Sequence, residues 1–294
     1  LADLGTAYTT RAVSSRAGVL LAVAAVFFFS TSPVLVLWAA PLSAFEITTG
    51  RLASAALVVA VLARLTGQPL LPSRADLRLF VVFGLITAVH FLTYIASLSF
   101  TTIAHSLAIV YTAPIFVTLF STFFLREPIP AQKWLGVLIA VAGIAVLVGF
   151  EPRLDSRMLI GDALALASAI TFGLYSVAGR SQRERYGLFT YAGTVYALAA
   201  LWMLPAAILT FTPEAFNRRT LLAVLAAGLI PLAAGHTLYN AALRRTHATT
   251  VNLIATQEVT GGILLGALLL GQIPQANEIA GAAIALAGIA LVLI

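Results

Sequence analysis

Gly136-Val-Leu-Ile-Ala140-Val-Ala-Gly143-Ile-Ala-Val146 returns 145 residues later as Gly281-Ala-Ala-Ile-Ala285-Leu-Ala-Gly288-Ile-Ala-Leu291. Each copy is an apolar run with small residues spaced four and three apart, so Gly136, Ala140 and Gly143, like Gly281, Ala285 and Gly288, share one helical face suited to close helix packing. Other pairs follow in chain order. Gly84-Leu85-Ile86 matches Gly228-Leu229-Ile230 at an offset of 144, and Ile129-Pro130 matches Ile273-Pro274 at 144. Tyr94-Ile-Ala-Ser-Leu98 matches Tyr239-Asn-Ala-Ala-Leu243 at 145, and Gly18 opens a span as Gly161 does, at 143. Glycine, alanine and leucine are common, so a single match carries little. Several in order, at nearly one offset, establish a duplication whose register slips locally.

The two copies are built for lipid. Of 294 residues 61% are apolar and 10% charged, with a mean hydropathy of +1.01, whereas a soluble domain carries about 25% charged residues. At about 20 residues per crossing, the sequence predicts ten spans, near 17–39, 43–64, 77–98, 103–125, 131–150, 160–180, 187–211, 220–243, 247–270 and 276–294. The run 17–40 exceeds the ~7–15 residues of a signal-peptide core and has a counterpart later in the chain, so it is read as a span. The expected organisation is a cytoplasmic tail at 1–16, a five-helix repeat at 17–150, an extracytoplasmic linker at 151–159 and a second repeat at 160–294. The fold class is all-α.

Basic residues give the orientation. Arg11, Arg16, Arg64, Arg74, Arg78, Arg126, Lys133, Arg180, Arg183, Arg185, Arg244 and Arg245 fall on one side; Arg153, Arg157, Arg218 and Arg219 fall on the other. Positive-inside bias then puts both termini in the cytoplasm. Because each repeat has an odd number of spans, the second enters the bilayer inverted, and residues near 70 and near 215 should emerge on opposite faces. The net charge of +6 is scattered singly through loops, so the bilayer, not nucleic acid, is the expected partner. There is no cysteine, which removes disulfides, thiolate metal sites and cysteine nucleophiles.

Ten spans, two EamA-type halves, the span-two Gly50-Arg51-Leu52 and the Glu127-Pro-Ile-Pro130 turn before a glycine-rich fifth helix together resemble the drug/metabolite transporter superfamily, over about residues 17–294. The second half departs from the pattern: Gly271-Gln272-Ile273-Pro274 replaces Glu-Pro-Ile-Pro, and span seven lacks the arginine. Within the superfamily the chain is most similar to bacterial exporters of aromatic and other neutral amino acids. The resemblance implies export of a small metabolite by alternating access at a bacterial inner membrane, with no cofactor. It also implies that spans one, three, four, six, eight and nine surround a central cavity, with five and ten outside. A drug or another metabolite stays open as cargo; a nucleotide-sugar would need several cavity cations.

Polar residues deep in a span are candidates by default. Thr87, His90, Tyr94 and Ser97 share a face of span three; Tyr111, Pro114, Thr118 and Thr122 share one of span four; Thr250, Gln257 and Gly261 share one of span nine, with Glu258 beside it. His90, Tyr94, Tyr111, Pro114 and Gln257 are the expected substrate contacts, rings stacking on rings while amide and hydroxyl groups meet the polar ends; the competing reading is helix–helix packing. Tyr175 and Tyr239 are further candidates, with interfacial anchoring as the alternative. Glu258 is a coupling or structural charge. Glu46 and Arg51 lie five apart, too far for a helical pair, so each should find another partner, and Arg51 either braces helices or receives a carboxylate. Pro33, Pro114, Pro231, Gly261 and Gly262 are the hinge candidates, and Pro205 also interrupts a span. No His-Glu-x-x-His, Gly-x-Ser-x-Gly or Walker A loop is present, so an intramembrane enzyme is a distant alternative and no metal site is expected. A single copy of the chain is the expected state.

Overall fold

The computed structural model describes residues 15–101, 103–127, 129–147, 149, 156–261 and 275–293, and among these there is helix and no strand. Helices α1 (Arg16–Phe29), α2 (Ser32–Trp38), α3 (Ala44–Leu65), α4 (Leu77–Ser97), α5 (Ile103–Val110), α6 (Ala113–Phe124) and α7 (Ala131–Leu147) make the first repeat. The second has α8 (Ser156–Ser181), α9 (Leu188–Leu209), α10 (Arg218–Ala227), a π-helical stretch (Gly228–His236), α11 (Thr237–Leu243), α12 (Ala248–Ala255) and α13 (Ala276–Leu293). Seven of the expected spans are helical segments long and apolar enough to cross a membrane, and α6 and α7 are shorter apolar helices. Large apolar side chains such as Phe27, Phe123, Leu57 and Leu209 stand exposed on the outside of the bundle, as lipid-facing positions must. The chain is a multi-pass membrane protein.

The inversion is visible where equivalent helices meet. Gln68, just past the end of α3, receives the Phe189 N–H at the start of α9 (3.0 Å), while Ser43, before α3, bonds Thr210, after α9 (3.1 Å). The two second helices therefore run antiparallel, side by side. The same holds for the fifth helices: Gly136 faces Gly288 while Gly281 lies against Leu147. A Cβ on Gly143 would strike the Ala285 backbone, so α7 and α13 approach more closely than any side chain would allow. The remaining contacts come in exchanged pairs. α4 packs on α8 as α1 packs on the π stretch and α11, and α6 packs on α8 as α12 packs on α1.

The loops sort into two faces. At one, Thr190 Oγ1 donates to the Pro69 carbonyl (2.6 Å), Arg185 pairs with Asp76 (2.7 Å) and Arg244 donates to the Tyr186 carbonyl (2.8 Å). At the other, Thr212 N–H donates to Glu46 (3.2 Å) and Arg157 donates to the Ser99 carbonyl (2.9 Å). Helix α3, of 22 residues, separates the faces by about 33 Å at 1.5 Å per residue. Capping fixes its entry: Ser43 and Glu46 form a reciprocal capping box that satisfies two of the free N–H groups of the first turn.

Of the expected proline interruptions, one comes out differently. Span one breaks between α1 and α2 at Ser30–Thr31, and span eight passes through the π stretch, so neither is a continuous α-helix. By contrast α9 runs through Pro205 without interruption, as a helix can when only one i→i−4 bond is lost and its neighbours hold the backbone.

Two outcomes follow. In this cysteine-free chain, Arg74→Cys and Glu214→Cys should be labelled by an impermeant maleimide from opposite sides of sealed vesicles; labelling from one side would rule out the inverted packing. Gly143→Val should push α7 from α13 and destabilise the protein by about 1–3 kcal/mol, the usual range for overpacking, measured as a lower Tm in detergent.

Candidate functional site

Span four turns at Tyr111–Thr112 between α5 and α6, and span nine turns at Thr256–Gln257 after α12. The two breaks are 145 residues apart, the offset of the repeat itself. In span four Pro114 supplies no N–H, and the turn tightens: Thr112 N–H donates to the Ile109 carbonyl (3.0 Å) and its hydroxyl donates to the same oxygen (2.7 Å). In span nine there is no proline at the break, yet Gln257 N–H reaches the Ile254 carbonyl (3.0 Å) and the Thr256 hydroxyl donates to Leu253 (2.7 Å). Span one breaks beside span nine: Ser30 Oγ donates to the Glu258 carbonyl at 3.3 Å, and a Cβ on Gly261 would collide with that hydroxyl. Gly261 is thus a point of close approach. Gly262 lies outside the described residues.

These breaks meet at a central cavity. Its walls are Phe29 and Ser32 from span one, Arg51 from span two, His90, Phe91 and Tyr94 from span three, and Val110 and Tyr111 from span four. Phe172 of span six, Pro231 and His236 of span eight, and Ala255 and Glu258 of span nine complete it. Both halves contribute, and α7, α9 and α13 do not. The ring is the expected one with span two added, through Arg51. About 40 Å³ is open to water-sized molecules, room for roughly three waters at ~10–15 Å³ each.

The lining is aromatic with embedded polar groups. His90 stacks on Phe172 with ring centres 4.7 Å apart, and its Nδ1 lies 3.1 Å from the Ser168 carbonyl. The Ser168 hydroxyl lies 3.0 Å from the same nitrogen, so both Ser168 oxygens hold the ring against span six. His236 sits 4.5 Å from the Phe29 ring and 4.9 Å from Phe91. The Arg51 guanidinium lies over Phe91, 4.8 Å from the ring centre. Glu258 and Tyr111 both line the cavity where spans nine and four break.

The remaining candidates sit elsewhere. Tyr175 and Tyr239 are wholly buried behind the wall, which excludes interfacial anchoring. Tyr239 shares a 2.6 Å hydrogen bond with Ser176 and receives Asn252 Nδ2 at 3.1 Å, while Tyr175 receives Asn240 Nδ2 at 2.6 Å. Gln257 does not reach the cavity; its Oε1 accepts from the Thr260 hydroxyl (2.9 Å). Pro114 is buried in the first turn of α6, one layer back. Pro33 opens α2, and Pro231 both lines the cavity and lies inside the π stretch. Glu46 lies at the loop face, where Ser43 and Thr212 N–H groups occupy its oxygens. Sequence reasoning missed His236 and the phenylalanines. The signal was present for His236: the repeat offset changes from 144 to 145 between Ile230 and Tyr239, and the π stretch is where that extra residue is taken up.

At one end of the bundle, the Glu127 of the Glu-Pro-Ile-Pro turn ties three segments together. Arg126 adopts a left-handed conformation (φ 54°) after α6, and the Glu127 N–H reaches back to the Ser121 carbonyl, six residues earlier, closing the end of the helix. Glu127 then meets Arg180 at 2.7 Å and His247 at 3.1 Å, and Arg180 also donates to the Leu243 and Thr246 carbonyls (2.9 and 2.6 Å). Burial pushes this carboxyl up, but the hydrogen bonds from His247 and Arg180 and the charge of Arg180 outweigh it and hold the pKa at about 2 against an ordinary 4.5.

The chain belongs to the EamA-like transporter family, whose model matches it twice, over residues 16–149 and 159–294. It is 31% identical over 267 residues to the pseudopaline exporter CntI of Pseudomonas aeruginosa, spanning 90% of this chain and 92% of that one. An uncharacterised protein of the same organism is 30% identical over 258 residues, 86% of this chain and 85% of the other. A solved crystal structure superposes with a TM-score of 0.79 at 22% identity, covering 94% of this chain and 96% of that chain, which shows the shared fold.

A carboxyl with a lowered pKa stabilises fully above its unfolded value and loses that contribution as pH falls through its folded one. The Tm difference between the wild type and Glu127→Gln should therefore be constant at neutral pH and shrink between pH 4.5 and about 2. A difference independent of pH would show that the carboxylate charge does not hold these segments.

Proposed function

We propose that this transporter exports small metabolites, and in particular aromatic and other hydrophobic neutral amino acids, by alternating access across a bacterial inner membrane with both termini cytoplasmic. One observation carries the reading: an aromatic cavity between two inverted halves, walled where three spans break, with buried polar side chains aimed into it. Broken helices at such a place expose polar backbone to a ligand in a site otherwise made of apolar rings. The walls suit a cargo with an apolar part and a small polar end. The cavity as it stands holds a few waters, so taking up an amino acid requires the halves to part, which is the motion that alternating access needs. Orientation rests on the basic residues gathered at one face. A single copy encloses the cavity, so a monomer suffices. The cargo of the 31% identical relative, pseudopaline by its name, supports export of a metabolite and offers a second candidate class to compare with amino acids.

Purified protein in liposomes preloaded with phenylalanine, leucine or other metabolites should release the aromatic and branched amino acids. Tyr111→Ala should slow that release at least fivefold while the yield of folded protein is unchanged. Release of another metabolite but of no amino acid would overturn the cargo assignment.

A further inference from the structure

Arg51 stands apart from every other well-buried cation described here. It is 1% exposed, yet its Nε and Nη1 have no hydrogen-bond partner. Arg180 is 3% exposed and fully engaged, with a carboxylate on one edge and two carbonyls on the other. An unpaired charge away from water is costly, so it persists where something else completes it. The Phe91 face supplies partial compensation to the guanidinium plane, and leaves its hydrogen-bonding edge free. That edge belongs to a cavity-lining residue.

Glu258 lines the same cavity, as does Tyr111. No ion pair forms between Glu258 and Arg51, and Nε and Nη1 of the arginine have no hydrogen-bond partner. The site thus brings an arginine and a carboxylate to one cavity without an ion pair between them, both among aromatic rings. Nε and Nη1 lie on different edges of the guanidinium plane, each edge shared with Nη2, so each edge keeps a free donor with which to receive a carboxylate oxygen.

We propose that Arg51 binds the carboxylate of the transported molecule, with Glu258 facing its cationic group and the aromatic wall taking its side chain. This rests on the transport reading above and narrows it: the cargo must carry a carboxylate, so amines and amides of the same shape are excluded. The polar end of the cargo then lies on spans two and nine, and not on the Gln257 amide.

The test pairs molecules differing only in that group. Liposomes holding wild type, Arg51→Lys or Arg51→Gln are loaded with phenylalanine, phenylalaninamide or phenethylamine, and each variant is first checked for folding by Tm and gel filtration. Wild type should release phenylalanine at least tenfold faster than either analogue. Arg51→Gln should cut phenylalanine release at least tenfold, Arg51→Lys less, and both should narrow the preference over phenethylamine. A helix-bracing role would lower all three fluxes together and leave the preference unchanged, which would overturn the proposal. Wild type that moves no amino acid would defeat the amino-acid reading; the Arg51 proposal is then decided by ligand-induced stabilisation in detergent. 3-Phenylpropionate should raise the Tm of wild type, and raise it less in Arg51→Lys; an equal rise in both, or none in wild type, would overturn it. If Arg51→Gln does not fold, the Arg51→Lys comparison decides alone.

Discussion

Inside a bilayer no water is available to satisfy a broken helix, and this one constraint organises the molecule. Each interrupted turn leaves backbone N–H and C=O groups that must be enclosed by protein or by a polar cavity. The breaks at Ser30–Thr31, Tyr111–Thr112 and Thr256–Gln257 and the π stretch Gly228–His236 are accordingly gathered around one cavity, each tightened by local bonds from threonine, serine or backbone donors. Straight helices with small-residue faces, α7 and α13, are left outside it. The cavity is therefore a consequence of where irregular backbone can be tolerated.

Around that centre the duplication sets the framework. Equivalent helices meet antiparallel, α3 on α9 and α7 on α13, so the second repeat completes a bundle that the first could not close alone. The symmetry is not complete. Span eight has a π stretch where span three is regular, and span one is broken where α8 is continuous. The Glu127–Arg180–His247 cluster joins loops at one face, and the second repeat has Gly271-Gln272 where the first has Glu127-Pro128. Two copies of one architecture have thus been given different internal joints.

Much of this was legible beforehand. The odd number of spans per repeat dictated inversion, the singly scattered arginines separated the two faces, and the polar stripe of span three located His90 and Tyr94 at the cavity. Tyr111 was found beside Pro114 because both belong to a helix break. Other residues were misplaced for identifiable reasons. Gln257 has the right spacing, but the turn beneath it directs its amide to Thr260. Tyr175 and Tyr239 look like boundary residues by count along the helix, yet neighbouring helices cover them completely. Glu46 reads as a membrane charge and serves as a helix cap.

The sequence by itself determined the solvent, the number of crossings, the duplication and the inverted sense of the second half, because these depend on composition, run length and parity. Tertiary structure alone decided which side chains share the cavity, that Arg51 enters it with two unpaired nitrogens, and that Glu127 finds Arg180 and His247, 53 and 120 residues away. Periodicity along one helix specifies a face but not what that face meets. One inserted residue, taken up in a π turn, accompanies the arrival of His236 at the cavity.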